Sequence, residues 1–169
     1  KPTMGQFLDE WFNLAKAGTG ERGVFNRGSL KKQLPTRRWK LFENDYWTSG
    51  VNPCGEIILK SKQFCNLSEV VVRTDDTEDS LMEKIRIATI LGTYQASLVK
   101  FPYLSREWKK NCEEEALLGV SMTGQWDSKI VRNPSTLRKL KEVAVETNRK
   151  YAKKFGINVA TAVTCVKPS

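Results

Sequence analysis

The sequence predicts an α/β fold, because long helical stripes alternate with short β-branched segments along the chain. Residues 80–100 and 134–155 carry apolar side chains at every third or fourth position, which is the period of an amphipathic helix. Short runs rich in isoleucine, leucine and valine lie between and beside these stripes and have the length of strands. This alternation is typical of layered α/β proteins, and 169 residues are enough for a single domain.

The chain is predicted to open with an amphipathic helix that Thr3 caps. Its apolar residues recur at helical spacing: Phe7, Leu8, Trp11, Phe12 and Ala15. The segment AGTGERG should end this helix, and its glycines match the pattern G-x-G-x-x-G. We reject a dinucleotide-binding site there, because the pattern follows a helix and the fingerprint requires a preceding strand. A short strand is predicted next, at GVFNR.

Three strands and two helices are predicted in the middle of the chain. EIILKS and SEVVVR are strand candidates, and Thr77 or Asp79 should cap the following helix. The buried stripe of that helix is expected to comprise Leu81, Ile85, Ala88, Leu91, Tyr94 and Leu98. After Pro102, Ser105 should cap a helix through REWKKNCEEEA, and LLGVSMTG is predicted to form a buried strand.

A last helix and a last strand are predicted at the carboxyl-terminal end. Asn133 followed by Pro134 is typical of a helix start, and Gly156 of a helix stop. The buried face between them is expected to comprise Leu137, Leu140, Ala144, Tyr151 and Phe155. The segment INVATAVTCV should form the final strand.

The charge balance favours anionic partners. The formal net charge is +9, and the segment LKKQLPTRRWK carries five cations and no acid. Two interpretations stay open, a solvated surface loop or a contact with a nucleotide or polynucleotide. Neither an aromatic ladder nor zinc-finger spacing accompanies the charge, so a nucleic-acid-binding module is the less favoured one. No apolar run approaches the ~20 residues of a membrane span, so no membrane partner is expected.

Cysteine usage indicates a reducing, cytoplasmic compartment. The four cysteines are too widely spaced for a small secreted scaffold. Without a CxxC pair or any histidine, a metal site is not expected. Two of the four, Cys112 on a predicted helix and Cys165 on a predicted strand, are expected to be passive.

The segment NPCGE groups a thiol, a carboxylate and an amide. Pro53 disfavours helical angles at Asn52, so we expect the backbone around Cys54 to be extended or looped. In an extended chain, Asn52, Cys54 and Glu56 would share a face about 6–7 Å apart. The charge of Glu56 would raise the pKa of the thiol, which disfavours a thiolate nucleophile. The trio suits a hydrogen-atom donor beside a base, with an amide to bind the hydroxyl groups of a sugar diol.

Several segments, in order, resemble the catalytic subunit of ribonucleotide reductase, and in particular its adenosylcobalamin-dependent (class II) form. They are GERGVFNR, NPCGEI, CNLSEV with its cysteine eleven residues after the first, EEALLGVSMTG and TCVKPS. The resemblance covers residues 20–169 and implies that the chain belongs to a ten-stranded α/β barrel. In that fold a central finger loop, about residues 50–66 here, carries the radical cysteine.

The resemblance also implies roles for individual residues. Cys54 would be the thiyl radical that removes the ribose 3′ hydrogen atom, and Glu56 would take the 3′-hydroxyl proton. Asn52 would bind the sugar hydroxyls, while Cys65 would be one of two thiols that end as a disulfide. The phosphate loop of the substrate site would begin with Lys167, Pro168 and Ser169. Adenosylcobalamin, a ribonucleotide and a thioredoxin-like reductant are the implied cofactor, substrate and reductant.

The family's catalytic chain is several times longer, so this chain is expected to be one segment of a split or intein-interrupted protein, or a separately encoded subunit. The strand that bears the partner thiol of Cys65 and the cobalamin-binding segments have no counterpart here. The barrel would therefore be incomplete without partner segments, and the isolated chain is predicted not to turn over. Two alternatives remain open: a class I segment with a metal-radical partner subunit, and a basic nucleic-acid-binding module. Whether the substrate is a diphosphate or a triphosphate also stays open.

Overall fold

The computed structural model describes residues 2–20, 23–44 and 46–167, and these form a mixed arrangement of helices and small sheets. The helices are α1 (Met4–Ala17), α2 (Leu30–Gln33), α3 (Thr36–Trp39), α4 (Glu78–Ala96), α5 (Arg106–Glu115) and α6 (Pro134–Phe155). The strands are β1 (Gly50–Val51), β2 (Ile58–Leu59), β3 (Asn66–Val71) and β4 (Leu118–Thr123). Within the described ranges, no helix combines the length and apolar character needed to cross a bilayer.

The strands form two separate two-stranded sheets. Strands β1 and β2 pair antiparallel, with Gly50 opposite Leu59. Strands β3 and β4 pair parallel, and the segment 162–165 runs along the free side of β4 with a parallel bridge between Val120 and Thr164. The predicted mixture of helix and sheet is therefore present. The described residues contain these two small sheets and not a ten-stranded barrel.

Helices α4 and α6 cover one face of the β3–β4 sheet, and the other face is open along β3, whereas β4 is buried from Leu118 to Ser121. Strand β3 alternates as a half-buried strand should, with Asn66 and Val70 buried and Leu67, Glu69 and Val71 exposed. The buried positions of both strands join the helices in the main apolar cluster, which contains Val70, Val72, Leu81, Ile85, Ala88, Leu118, Val120, Val131, Leu140, Ala144, Ala160 and Val163.

Local sequence signals correctly predicted where the long helices begin and end. Thr3 forms a capping box with Gln6 at the start of α1, and Thr77 forms one with Ser80 at the start of α4. Asn133 caps α6, which begins at Pro134, and Gly156 ends it in the left-handed conformation. At α5 the predicted cap, Ser105, occupies the N-cap position without a side-chain capping bond.

Other predictions about local structure were wrong. The segment GVFNR is not a strand; its last three residues lead into a short 3-10 helix, and Glu21 and Arg22 just before it lie outside the described residues. The predicted basic loop contains the short helices α2 and α3. The predicted final strand is reduced to the pairing of residues 162–165 with β4, because the residues before them have no sheet neighbour.

The predicted apolar stripes are buried only over part of their length. In α4, Leu81, Ile85 and Ala88 are buried and Leu91 and Tyr94 are exposed, while Leu98 lies beyond the end of the helix and is also exposed. Leu140 and Ala144 of α6 are buried but Phe155 is not, and α1 has no buried residue at all. The physical reason is that the buried face of each long helix continues through small and polar residues, which are Gly92, Thr93 and Ala96 in α4 and Thr147, Asn148 and Ala152 in α6.

Candidate active site

The finger loop, defined here as residues 50–66, places Cys54 at the tip of a tight turn. The amide of Gly55 donates to the carbonyl of Asn52 at 2.9 Å, and Gly55 has a φ of 81°. Glycine adopts that angle without the steric cost that a side chain would bring. Below the turn, the Asn52 amide donates to the Ile57 carbonyl at 3.1 Å and continues the β1–β2 pairing. The Cys54 thiol is exposed.

Of the two forms expected for the NPCGE segment, the structure has the looped one, with the three side chains at one turn. A turn through residues 52–55 replaces the extended chain, because proline favours the second position of a turn and glycine its end. Asn52 Nδ2 donates to Glu56 Oε1 at 2.7 Å, while Asn52 Oδ1 accepts from the Ile57 amide at 3.0 Å. The side-chain amide of Asn52 therefore holds the carboxylate of Glu56 beside the turn.

Lys167 reaches the same place from the far end of the chain. Its Nζ lies 3.1 Å from Glu56 Oε1 and donates to Cys54 Sγ at 3.4 Å. Its backbone amide donates to Ser121 Oγ of β4 at 3.2 Å. The structure thus brings together Asn52, Cys54, Glu56 and Lys167, whereas the other two predicted phosphate-loop residues, Pro168 and Ser169, lie outside the described residues.

The Glu56 carboxylate is buried and ionised. Its side chain is 9% exposed, and among the described residues nothing hydrogen-bonds its Oε2. Burial by itself raises the pKa of Glu56, but hydrogen bonds from its own backbone amide, Asn52 and Lys167 outweigh burial and hold that pKa below its ordinary value. The same contacts with Glu56 and Cys54 raise the pKa of Lys167.

Cys65 lies in the finger loop, immediately before β3. It is half-buried, and burial followed by the charge of Glu56 raises the pKa of its thiol. A thiol with a raised pKa stays protonated at neutral pH, which is the form that can give up a hydrogen atom.

Cys165 lies beside this site, although the sequence suggested a passive residue. Burial and then the nearby Cys65, Glu56 and Glu69 raise the pKa of its thiol to about 11. A Cβ added at Gly119 would lie 3.2 Å from its Sγ, so the missing side chain leaves room for this sulfur. The other predicted passive cysteine, Cys112, is buried in α5, and all four are free thiols.

A buried ion pair anchors the base of the finger loop. Arg38 of α3 donates through Nε to Glu115 Oε1 at 2.7 Å and through Nη2 to the Ile58 carbonyl at 2.5 Å. Gln63 Nε2 donates to Glu115 Oε2 at 2.7 Å. Glu115 also accepts from Thr161 Oγ1 at 2.7 Å. Three separate segments therefore converge on one carboxylate that is fully buried.

No local signal predicted this network, because Arg38 and Glu115 look like ordinary members of a basic run and an acidic run. Burial raises the pKa of Glu115, but the Arg38 guanidinium and the other donors outweigh burial and hold it below its ordinary value. The network also weakens the nucleic-acid interpretation of the basic segment. Arg38 is buried, and Arg37 donates to the Thr161 carbonyl at 2.8 Å.

No cluster of metal-ligating side chains is found in the described part of the chain, where three or more histidine, cysteine, aspartate or glutamate groups would have to converge. The site offers an amide, an ionised carboxylate, an ammonium group and a thiol that are linked in this order by hydrogen bonds from Asn52 to Glu56, from Lys167 to Glu56 and from Lys167 to Cys54. That set of groups is suited to proton and hydrogen-atom transfer at a polar substrate.

Comparison with known proteins finds a similar fold and no similar sequence. No protein-family model matches this chain, and no curated protein matches it. Among solved structures, the fold is similar to a crystal structure of a B-12 dependent (class II) ribonucleotide reductase, with a TM-score of 0.56 and 21% sequence identity over 75% of this chain. The chain spans 21% of that reductase's length. At this identity, the similarity concerns the fold.

Proposed function

We propose that residues 1–169 form one segment of the catalytic barrel of a ribonucleotide reductase, and that the finger loop carries the radical cysteine. The observation that carries this proposal is the convergence of Cys54, Glu56 and Asn52 at the tip of that loop. The similarity of the fold to a class II reductase supports it.

Glu56 is the base of the proposed reaction. Its pKa lies below the ordinary value, so the carboxylate is ionised at neutral pH and can accept the proton of the substrate's 3′-hydroxyl. Asn52 uses its amide oxygen on Ile57 and one donor on Glu56, which leaves a second N–H for a sugar hydroxyl.

Cys54 exchanges a hydrogen atom with the sugar. As a thiyl radical it removes the 3′ hydrogen atom, and it returns that atom after the 2′-hydroxyl has left as water. Adenosylcobalamin, when bound, supplies the radical chemistry that starts the cycle. The exposed position of the Cys54 thiol fits approach by both the substrate and such a cofactor. We place the cofactor's binding determinants mainly on other segments of the barrel.

Cys65 belongs to the dithiol that supplies the reducing electrons. With a second thiol from another segment, it gives two electrons and two protons to the substrate, and the pair ends as a disulfide. A thioredoxin-like reductant reopens that disulfide by thiol exchange. The free thiols of this chain fit the reducing cytoplasm in which such a cycle runs.

Other segments of the reductase would complete the site by covering the open face of the sheet. Leu67 and Val71 of β3 expose apolar side chains on that face, and β3 pairs with a strand on one side only within the described residues. Apolar surface and an unpaired strand edge both favour the addition of further strands.

The proposal is tested by the variant Cys54→Ser in the assembly that co-purifies with this chain. We expect the wild-type assembly to form deoxynucleotides from ribonucleoside di- or triphosphates when adenosylcobalamin and a dithiol are supplied. Cys54→Ser should abolish product formation. The control Cys112→Ser, which replaces a buried thiol of α5, should still form product. Product formation by Cys54→Ser, or none by the wild-type assembly, would contradict the proposal.

A further inference from the structure

Lys167 contacts both chemical groups at the finger-loop tip. It lies 113 residues from Cys54 along the chain, yet its Nζ is within hydrogen-bonding distance of Cys54 Sγ and Glu56 Oε1. Its side chain is only 19% exposed, so it is held in the site and does not extend into solvent. The expectation from the sequence placed this residue at the substrate phosphate and did not connect it with the thiol or the base.

We propose that Lys167 is a positioning residue that fixes the Glu56 carboxylate and places a positive charge beside the Cys54 sulfur. This inference rests on the proposed function. It assigns Lys167 to the reacting end of the substrate, next to the sugar, and it names the oxygen of Glu56 that acts as the base.

The first part of the argument is the geometry of the Glu56 carboxylate. Asn52 Nδ2 at 2.7 Å and Lys167 Nζ at 3.1 Å both occupy Oε1. The other oxygen, Oε2, is buried and has no hydrogen-bond partner among the described residues. A buried carboxylate oxygen without a partner is costly, so this arrangement is explained if a ligand hydroxyl donates to it. Lys167 and Asn52 therefore leave Oε2 as the acceptor for the substrate proton.

The second part is the way the backbone holds Lys167 in place. The Cys165 amide donates to the Val120 carbonyl at 3.1 Å, and the Lys167 amide donates to Ser121 Oγ at 3.2 Å. Ser121 is buried in β4 and faces the side of the sheet opposite the main apolar cluster. These two hydrogen bonds from backbone amides to β4 thus place the Lys167 side chain beside the finger loop, on the side of the sheet opposite the main apolar cluster.

The third part is charge. Glu56 alone would place a negative charge near the Cys54 sulfur and repel any anionic reagent or substrate group that approaches it. The ammonium of Lys167 offsets that charge at 3.4 Å from the sulfur. An anionic reagent should therefore react with Cys54 more readily, relative to a neutral one, than it would without Lys167.

The experiment compares alkylation of Cys54 by anionic iodoacetate and by neutral iodoacetamide in the full chain, with the Cys54 peptide quantified by mass spectrometry. The urea-unfolded chain is the reference for the rate ratio. In the wild-type chain at low salt, we expect the ratio to exceed that of the unfolded chain by about three- to tenfold, and high salt to reduce the excess.

Four variants identify the charge that is responsible. Lys167→Gln should lose the excess, and Lys167→Arg, which keeps a cation, should retain most of it. The matched control is Lys62→Gln, which removes a finger-loop lysine that pairs with Glu107 and not with the site. Glu56→Gln should increase the excess, because it removes the opposing charge. An unchanged ratio in Lys167→Gln, or an equal loss in Lys62→Gln, would overturn the inference.

A second measurement does not depend on Cys54. The pKa of Glu56, followed by carbon NMR of labelled glutamate, should rise in Lys167→Gln and remain near its wild-type value in Lys62→Gln. A pKa that is unchanged in Lys167→Gln would also overturn the inference. Neither measurement uses reductase activity, so the inference can fail while Cys54→Ser still abolishes turnover, and the proposed function can fail while Lys167 keeps its effect.

Discussion

The helix-covered sheet and the finger loop are held in place by different kinds of contact. In the sheet, apolar side chains of β3, β4, α4 and α6 share one cluster, and no single residue dominates it. The base of the finger loop depends on the Glu115 carboxylate, which Arg38, Gln63 and Thr161 all contact. The apolar layer supplies the scaffold, whereas a few specific polar contacts decide where the turn that carries Cys54 lies.

The two regions should therefore respond differently to the loss of one side chain. Full burial of an aliphatic side chain contributes about 1.5–3 kcal/mol, and neighbours partly refill the space when it is removed. A buried charge that loses its partner cannot be compensated in this way, since its desolvation cost remains. Damage to the polar anchor should be confined to the finger loop, and damage to the sheet should spread to both regions.

The largest effect on stability is expected from Glu115→Ala. Removing this carboxylate leaves the Arg38 guanidinium buried without its charge partner, which should destabilise the finger-loop region by about 3–5 kcal/mol. Amide hydrogen exchange should accelerate in residues 58–63 and change little in β3 and β4. The control Glu113→Ala removes an exposed carboxylate from the same helix and should cost at most about 1 kcal/mol. Equal acceleration of amide exchange in the finger loop and in the sheet would show that the two regions do not respond differently.

Truncation of Leu81 tests the other side of the comparison. Leu81 is fully buried in the apolar cluster, so Leu81→Ala should lower the free energy of unfolding by about 2–5 kcal/mol in urea titrations. Exchange should accelerate in the sheet and in the finger loop together, because the loop is anchored on the sheet. Leu91→Ala, at an exposed position of the same helix, should change the free energy by less than about 0.5 kcal/mol. A finger loop that stays protected in Leu81→Ala would show that it folds independently.

The smallest effect concerns pH and the turn between β3 and α4. Hydrogen bonds from Lys84 and then Ser80 lower the pKa of Asp76 to about 2, from an ordinary value of 3.8. A lowered folded-state pKa stabilises the fold at pH values above about 4, and this contribution is lost as the pH falls towards about 2. In urea titrations, the free energy of unfolding of Asp76→Asn should therefore fall less steeply than that of the wild type as the pH is lowered from about 4 to about 2. The variant Asp75→Asn, at the exposed neighbouring position, should show the same acid dependence as the wild type.

Signals that act over a few residues were sufficient to predict the main helices and to select side chains that lie close together. Pro134 and Gly156 indicated the ends of α6, and the spacing of Asn52, Cys54 and Glu56 indicated neighbours at one turn. Helix capping, turn formation and the spacing of apolar side chains depend on neighbours in the chain, so they can be predicted from the amino-acid sequence alone.

Contacts between distant segments could come only from the folded chain. Arg38 and Glu115 are 77 residues apart, and Lys167 is 113 residues from Cys54; in the sequence each is one charge among many. The exposure of Leu91 and Tyr94 belongs to the same category, because packing against α6 and the sheet buries the face of α4 that carries Gly92, Thr93 and Ala96. Neighbouring residues in the chain decided that Cys54 and Glu56 lie at one turn. The packing of residues 162–165 against β4 decided that Lys167 lies between the Cys54 thiol and the Glu56 carboxylate.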